Sequence, residues 1–330
     1  LGLSYSALGK YEEAKKILHL GISLFPYKPS LWWNLAIQYK ETKNLDIALD
    51  IYKQSIEKLD QCSELHYHYG VLLAECGNYE KAIEEYNKSI DIDPTNATAH
   101  WNKSLLMLLT GDYKNGFQEY EWRFKTFNNF MKTKMRFQGK PEWDGSPGSG
   151  TILFYNEQGV GDAMQFVRFM PKVKELGFNT VLETVPYLID LFSQCNGIDQ
   201  MVPWRTKDLP QYDYVASICS LPRLLKIDLD SIPNEVPYIR PTGTTYFKDY
   251  EDKVKIGICW AGSPYHAADH LRSFSLKEFI EIYNLPNVKL FSLQKETSKR
   301  FHIGKGVIDL TENCDNISVV DMSDLMHDFN

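Results

Sequence analysis

No pair of cysteines stands in CxxC spacing: Cys62, Cys76, Cys195, Cys219, Cys259 and Cys314 are scattered through the chain. That disfavours a zinc site or a disulfide framework and leaves buried free thiols as the expectation. Apolar runs long enough to cross a bilayer are missing, and so is a signal peptide, so the expected location is the cytoplasm. Lysine and arginine form no long run, and the formal net charge is -7. Nucleic acid is thereby disfavoured as the main partner, because binding a phosphate backbone needs a clustered basic surface. What remains is ordinary for a globular protein: 43% hydrophobic, 13% aromatic and 24% charged residues over 330 positions. That length suits about two to three domains. The chain opens on Leu1 inside a helical pattern and stops at Asn330 without a closing element, as a fragment would.

The first third repeats itself. Ala14, Ala48, Ala82 and Gly116 stand 34 residues apart, and Tyr11, Leu45, Tyr79 and Tyr113 keep the same step three positions earlier. Gly9, Gly77 and Gly111 mark a turn in which Lys43 is the exception, and Pro26 and Pro94 close two units, with Asp60 where the intervening proline would be. The period and its small, aromatic and proline positions match the helix-turn-helix of the tetratricopeptide repeat. A small residue lets two helices approach, a glycine takes the left-handed turn, and no helix pair can bury its apolar face alone, so the units stack. About three and a half repeats over residues 1 to 126 are expected.

Asn34, His68 and Asn102 share one register on the first helix of each unit. Such a ladder, similar to the one in tetratricopeptide-linked O-GlcNAc transferases, would clamp the backbone of an extended peptide. The plainer reading is a polar position facing solvent. His66 and His100 share another register and read as groove or packing residues, not metal ligands.

Residues 127 to 150 break the period with Pro141, Gly145, Pro147, Gly148 and Gly150, and read as a linker in which Trp143 pins one domain against another. From 151 strands and helices alternate: TILFYN, TVLETV, DQMVPW and YDYVASI are strand-like, with DAMQFVRFMPKVKELG and PYLIDLFSQC as helices between them. That alternation predicts a parallel sheet wrapped by helices, with ligands at the carboxyl ends of its strands.

The first turn reads Gln158-Gly159-Val160-Gly161-Asp162. A phosphate site would leave the helix N-terminus open to an anion, whereas Asp162 puts a carboxylate there. Asp162 is therefore either a helix cap, worth about 1 kcal/mol, or a general base taking a proton from a sugar or protein hydroxyl.

The strings PEWDG, ILFYNEQGVGDAMQFVRFMP, KIGICWAGSPYHAADHLRSFSL and LFSLQKE resemble bacterial tetratricopeptide-repeat proteins with a glycosyltransferase-like C-terminal region. That region is similar to the ADP-heptose:lipopolysaccharide transferases and more distantly to O-GlcNAc transferases. The resemblance covers most of 138 to 330 and implies a GT-B fold, two Rossmann-like domains facing across a cleft. Residues 151 to 250 would form the acceptor-side domain, with Gln158, Gly159 and Gly161 in its turn and Asp162 as the catalytic base. Residues 251 to 330 would begin the donor-side domain, where Gly262, Ser263, His266, Arg272, Ser273 and Gln294 would meet a nucleoside diphosphate. The alternative for that loop is solvent exposure with Arg272 paired to Asp269. No DxD pair suited to metal is evident there, and the implied inverting mechanism needs no metal and no cofactor beyond a nucleotide-sugar donor of unknown identity. The family's later aspartate-histidine donor motif is not found, so the chain alone is expected to be inactive or feeble.

The expected function is thus sugar transfer to a protein or glycan, in a protein of bacterial or phage origin whose repeats recruit the acceptor or a partner. The rival is a non-catalytic binding scaffold whose transferase domain has degenerated.

Overall fold

The computed structural model describes residues 2–126, 128–239, 252–262, 269–293 and 307–309. The chain divides into two compact units, one of 1–147, 156–162 and 213–233, the other of 148–155, 163–212 and 234–330.

In the first unit the 34-residue period becomes packed helix pairs. α1 (Gly2–Ala7) lies with α2 (Tyr11–Leu24), α3 (Pro29–Glu41) with α4 (Leu45–Lys58), α5 (Ser63–Glu75) with α6 (Tyr79–Ile92), and α7 (Ala97–Leu109) with α8 (Tyr113–Glu119). Ala14, Ala48 and Ala82 are fully buried, and a Cβ on Gly116 would stand 2.9 Å from Leu108. The facing helices carry a second small register, Ala36, Gly70 and Ser104, in which a Cβ on Gly70 would meet the Tyr86 ring at 2.7 Å. Two small positions facing one another set the helix spacing, and larger side chains there would force the pairs apart.

Each pair turns on a left-handed residue: Gly9 at φ 71°, Lys43 at 61°, Gly77 at 77° and Gly111 at 93°. Lys43 therefore adopts the conformation that glycine adopts elsewhere, against the steric preference of its Cβ.

Another register closes each unit onto its predecessor. Trp32 Nε1 donates to the Pro26 carbonyl at 2.8 Å, His66 Nε2 to that of Asp60 at 3.0 Å, and His100 Nε2 to that of Pro94 at 3.2 Å. The other ring nitrogen of each histidine meets a carboxylate on the companion helix, Glu85 for His66 and Glu119 for His100. Trp32 lacks that second nitrogen, and Ile51, one period before Glu85, packs with it in the apolar core. Ring and partner change together along the repeats. Burial alone would raise the Glu85 carboxyl, but hydrogen bonds from His66 and Lys88 outweigh it and hold the group below its ordinary value.

Beyond the last pair come a 3₁₀ turn at Tyr120–Trp122, α9 (Arg123–Thr126) and α10 (Asn128–Met135), a helix inside the stretch expected to be linker. Trp143 is buried, with its amide on the Val215 carbonyl and its Nε1 on that of Ser146. Val215 belongs to the strand Tyr214–Ser217, which with α14 (Leu221–Leu224) lies in the segment 213–233 of this same unit.

The second unit holds a parallel ladder of β1 (Thr151–Tyr155), β2 (Asn179–Thr184) and β3 (Gln200–Pro203), with Thr151 opposite Asn179 and Val181 opposite Gln200. Ile152, Leu153 and Phe154 are all fully buried, the continuous apolar run of a strand covered on both faces. Helices α11 (Val160–Phe166), α12 (Met170–Glu175) and α13 (Pro186–Phe192) follow the alternation, the last beginning on proline as expected. With Tyr214–Ser217 counted in chain order as β4, a second parallel set comprises β5 (Val254–Ile258), β6 (Val288–Ser292) and β7 (Val307–Asp309). Cys195 and Cys219 are buried free thiols and Cys259 is exposed; Cys314 lies outside the described residues.

Two outcomes follow. Lys43→Gly removes a left-handed lysine and should raise unfolding free energy by about 1 kcal/mol in urea denaturation. An unchanged midpoint would mean that the turn carries no strain. The depressed Glu85 carboxyl contributes stability that is fully present above its unfolded value near 4.5 and is lost as pH falls through the folded value. The difference in stability between the parent and Glu85→Gln should therefore shrink on acidification from pH 7 to pH 3.

Candidate functional site

The turn after β1 belongs to the repeat-bearing unit, and one buried arginine explains why. Arg123 is fully buried, and each of its five N–H groups has an acceptor. Nε meets Glu157 at 2.9 Å, Nη1 meets the Tyr120 carbonyl at 3.1 Å and Glu121 at 2.6 Å, and Nη2 meets Ser220 at 2.7 Å and Ser217 at 3.4 Å. The guanidinium also lies 4.7 Å over Tyr120 and 4.1 Å over Phe124. Burial pushes its pKa down, yet Glu157 and Glu121 outweigh that and lift it above the ordinary value.

The serines relay the charge. Ser217 donates to the second oxygen of Glu157, and Ser220 donates to Glu121 at 2.8 Å. The Glu157 side chain is itself completely buried, so each member of the pair offsets the cost of burying the other's charge. Beside it, Gln158 Nε2 donates to the Tyr120 hydroxyl at 2.6 Å. Burial, together with Glu157, pushes the Cys219 thiol well up, which leaves it inert as a nucleophile.

With Glu157 and Gln158 tied down, the rest of the turn is short. Helix α11 starts at Val160, and Asp162 in its first turn accepts the Gly159 amide at 3.0 Å. This is the capping geometry. Neither Gly159 nor Gly161 is left-handed, and a Cβ on Gly161 would meet nothing within 4 Å. Asp162 is half-buried.

Of the residues expected to meet a donor, Gly262, Arg272 and Ser273 stand together with Asp269 after β5. The Gly262 amide donates to Ser273 Oγ at 2.9 Å, Ser273 donates to Asp269 at 2.7 Å, and Arg272 Nε lies 3.7 Å from the same Asp269 oxygen. A Cβ on Gly262 would stand 2.5 Å from an Arg272 nitrogen, so only glycine lets the guanidinium rest there. Ser263, His266 and Gln294 lie outside the described residues.

The register of Asn34, His68 and Asn102 does not form a ladder of like contacts. Asn34 Nδ2 donates within its own helix to Ser30 at 2.7 Å, and Asn102 Nδ2 meets the Tyr67 hydroxyl at 3.3 Å. His68 lies 5.0 Å from both the Trp33 and Tyr67 rings, and its burial pushes the imidazole pKa down against the pull of Glu64. Among the described residues, no group of three or more histidine, cysteine, aspartate or glutamate side chains is placed to hold a metal ion. Nor is any helix among them long and apolar enough to cross a membrane.

Reading by motif missed Arg123, Glu121, Glu157, Ser217 and Ser220. A signal for Arg123 was present: it stands one period after Ser89 and two after Ser55, both fully buried. An arginine in a register of buried small residues must bring its own acceptors.

Family models match the chain at residues 1–27 as a tetratricopeptide repeat and at 70–111 as a TPR repeat. Among solved structures it is similar to MamA, at 16% identity over 40% of this chain and 77% of that one, with a TM-score of 0.35. MamA from Desulfovibrio magneticus RS-1 matches at 17% identity over 42% and 74%, TM-score 0.33. A tetratricopeptide repeat protein from Parabacteroides merdae matches at 18% over 41% and 54%, TM-score 0.35. No curated protein matches. The N-terminal region is a solenoid of tetratricopeptide repeats, followed by a small parallel-sheet region.

Arg123→Met strands Glu157 in the interior and should cost about 3–5 kcal/mol in denaturant titration. Adding Glu157→Gln should recover part of that loss. Strict additivity of the two substitutions would dismiss the pair as a coupled unit.

Proposed function

We propose that this chain acts in sugar transfer, with the repeats taking a protein or peptide partner and the glycine-acid turn forming the acceptor side of a nucleotide-sugar site. The observation that carries this reading is the anchoring of the turn. Arg123 holds Glu157, Tyr120 holds Gln158, and Asp162 follows four residues later on a helix start fixed by both. A general base contributes only when its oxygen is held in position for the proton it removes, and buried charge is a demanding way to hold a loop that does nothing else. Asp162 would take the acceptor hydroxyl's proton. Donor contacts would come from Gly262 and Ser263 through amides, from Ser273 and Gln294 through side chains, and from His266 and Arg272 toward the diphosphate as its charge grows on departure. Arg272 would have to exchange Asp269 for phosphate.

A second reading is supported by the contact between Asp162 and the Gly159 amide. There Asp162 is a cap, the turn is a bend, and the chain is a repeat scaffold that binds proteins without catalysis.

Asp162→Asn separates the two. With UDP-, GDP-, ADP-, CMP- and dTDP-sugars as probes, binding is followed by calorimetry and turnover by release of the nucleotide. The transfer reading expects a donor bound equally by parent and variant, with turnover lowered by about 10²–10⁴ in the variant. If the parent binds none of these donors, the scaffold reading stands.

A further inference from the structure

A backbone carbonyl can only accept, so a ring nitrogen bonded to one must carry a hydrogen. That fixes Nε2–H for His66, 3.0 Å from the Asp60 carbonyl, and for His100, 3.2 Å from that of Pro94. In a neutral imidazole the other nitrogen is then bare. Yet Nδ1 of His66 lies 2.6 Å from Glu85, and Nδ1 of His100 is bonded to Glu119. A bare nitrogen and an ionised carboxylate would set two lone pairs against each other there. Each contact therefore needs one hydrogen more than a neutral histidine and a carboxylate possess together.

The surroundings put that hydrogen on the ring. Burial would raise the Glu85 carboxyl, but bonds from His66 and from Lys88, the latter at 2.8 Å, hold it low, so it stays a carboxylate. The second oxygen of Glu119 lies 3.6 Å from Lys103. The His100 ring stacks on Trp122 at 3.8 Å, a face that attracts a cation, and Lys125 lies 3.7 Å over the same indole. The carboxylates of Asp60 and Asp93, next to the two carbonyls, accept from Gln61 and Thr95 instead. His68 shows the contrast: set against the Trp33 and Tyr67 rings, its imidazole is pushed down by burial against the pull of Glu64.

We propose that the folded repeats hold two protons, one in each histidine–glutamate pair, so that His66 and His100 are imidazolium ions at a pH where free histidine is neutral. The repeats are thereby made sensitive to alkali. Loss of the proton to solvent leaves Nε2–H on its carbonyl but turns Nδ1 and its glutamate into two acceptors that repel. The repulsion falls between α5 and α6 and between α7 and α8. The unfolded chain has no such pairs, so their stability is fully present below the free-histidine value of about 6.5 and is lost as pH rises. Above that value each pair makes the unfolding constant up to tenfold larger per pH unit, until its own proton leaves. The Trp32 repeat holds no such proton, because its ring has one nitrogen and Ile51 stands where the glutamates are.

The test is nuclear magnetic resonance of the full chain with isotope-labelled histidine at about pH 8, where free histidine is largely neutral. His66 and His100 should each show hydrogen on both ring nitrogens in the native state and on one after unfolding in urea. Two paired replacements, His66→Trp with Glu85→Ile and His100→Trp with Glu119→Ile, copy the Trp32 repeat and assign the signals by removing them. Unfolding in weak buffer with a pH indicator should release one proton fewer for each pair replaced. Should a paired replacement fold poorly, Glu85→Gln or Glu119→Gln serves instead. An amide can donate to a bare Nδ1, so the histidine becomes neutral and the same proton is missing on unfolding. A bare Nδ1 on either histidine in the native parent, or equal proton release by the parent and every variant, overturns the proposal.

Discussion

The architecture of the first unit depends on a charge that has no water to go to. Arg123 sits in the last turn of the repeat region at a position where earlier repeats place serine, and burial of a guanidinium is tolerable only if all its donors are answered. The repeat itself supplies two of the five acceptors, the Tyr120 carbonyl and Glu121. The other three come from Glu157, Ser217 and Ser220, so segments 34 to 97 residues distant must close around it. That requirement draws residues 156–162 and 213–233 into the same compact unit as the helices, across what looks in the sequence like a domain seam.

Within the solenoid the same logic runs at lower stakes. At the position of Trp32, His66 and His100, the constant element is a ring N–H aimed at a backbone carbonyl, and the variable element is what the far side of the ring meets. Tryptophan offers carbon and finds Ile51 in the core. Histidine offers a second nitrogen and finds a glutamate. The tyrosine register behaves alike: Tyr52, Tyr86 and Tyr120 are all buried, but the Tyr120 hydroxyl accepts from Gln158 whereas Tyr52 borders a cleft with His68 and Lys40. Repeats thus share geometry while differing in chemistry, which lets one scaffold present distinct surfaces along its length.

Much of this was legible in the chain. The 34-residue period, read from alanines and glycines, located the helix pairs and even the left-handed turn at Lys43, because steric demands recur at fixed spacing whatever residue meets them. The parallel strands were legible from their continuous apolar runs and the glycines between them. Residues 128–135 were not, because Phe130, Met131 and Met135 are too few to mark a period and Pro141 and the glycines that follow suggested loop throughout. The Arg123 cluster escaped for a different reason: pairing between residues so far apart leaves no local pattern. Only the misfit of an arginine among buried serines pointed to it. His68 and Asn102 looked equivalent, yet Asn102 donates to the Tyr67 hydroxyl while the His68 ring lies against both Trp33 and Tyr67, a difference set by tertiary contact.

The ring-to-carbonyl bonds of the repeats and the bonds of Arg123 close loops of very different length. A ring that bonds a carbonyl six residues away closes a short loop at little entropic expense, so each repeat can register itself as soon as its own helices meet. Arg123 must wait for partners up to 97 positions downstream. The bond that fixes the turn carrying Asp162 therefore closes a longer loop, 34 residues, than any ring-to-carbonyl bond of the repeats, and the bond to Ser220 closes one of 97.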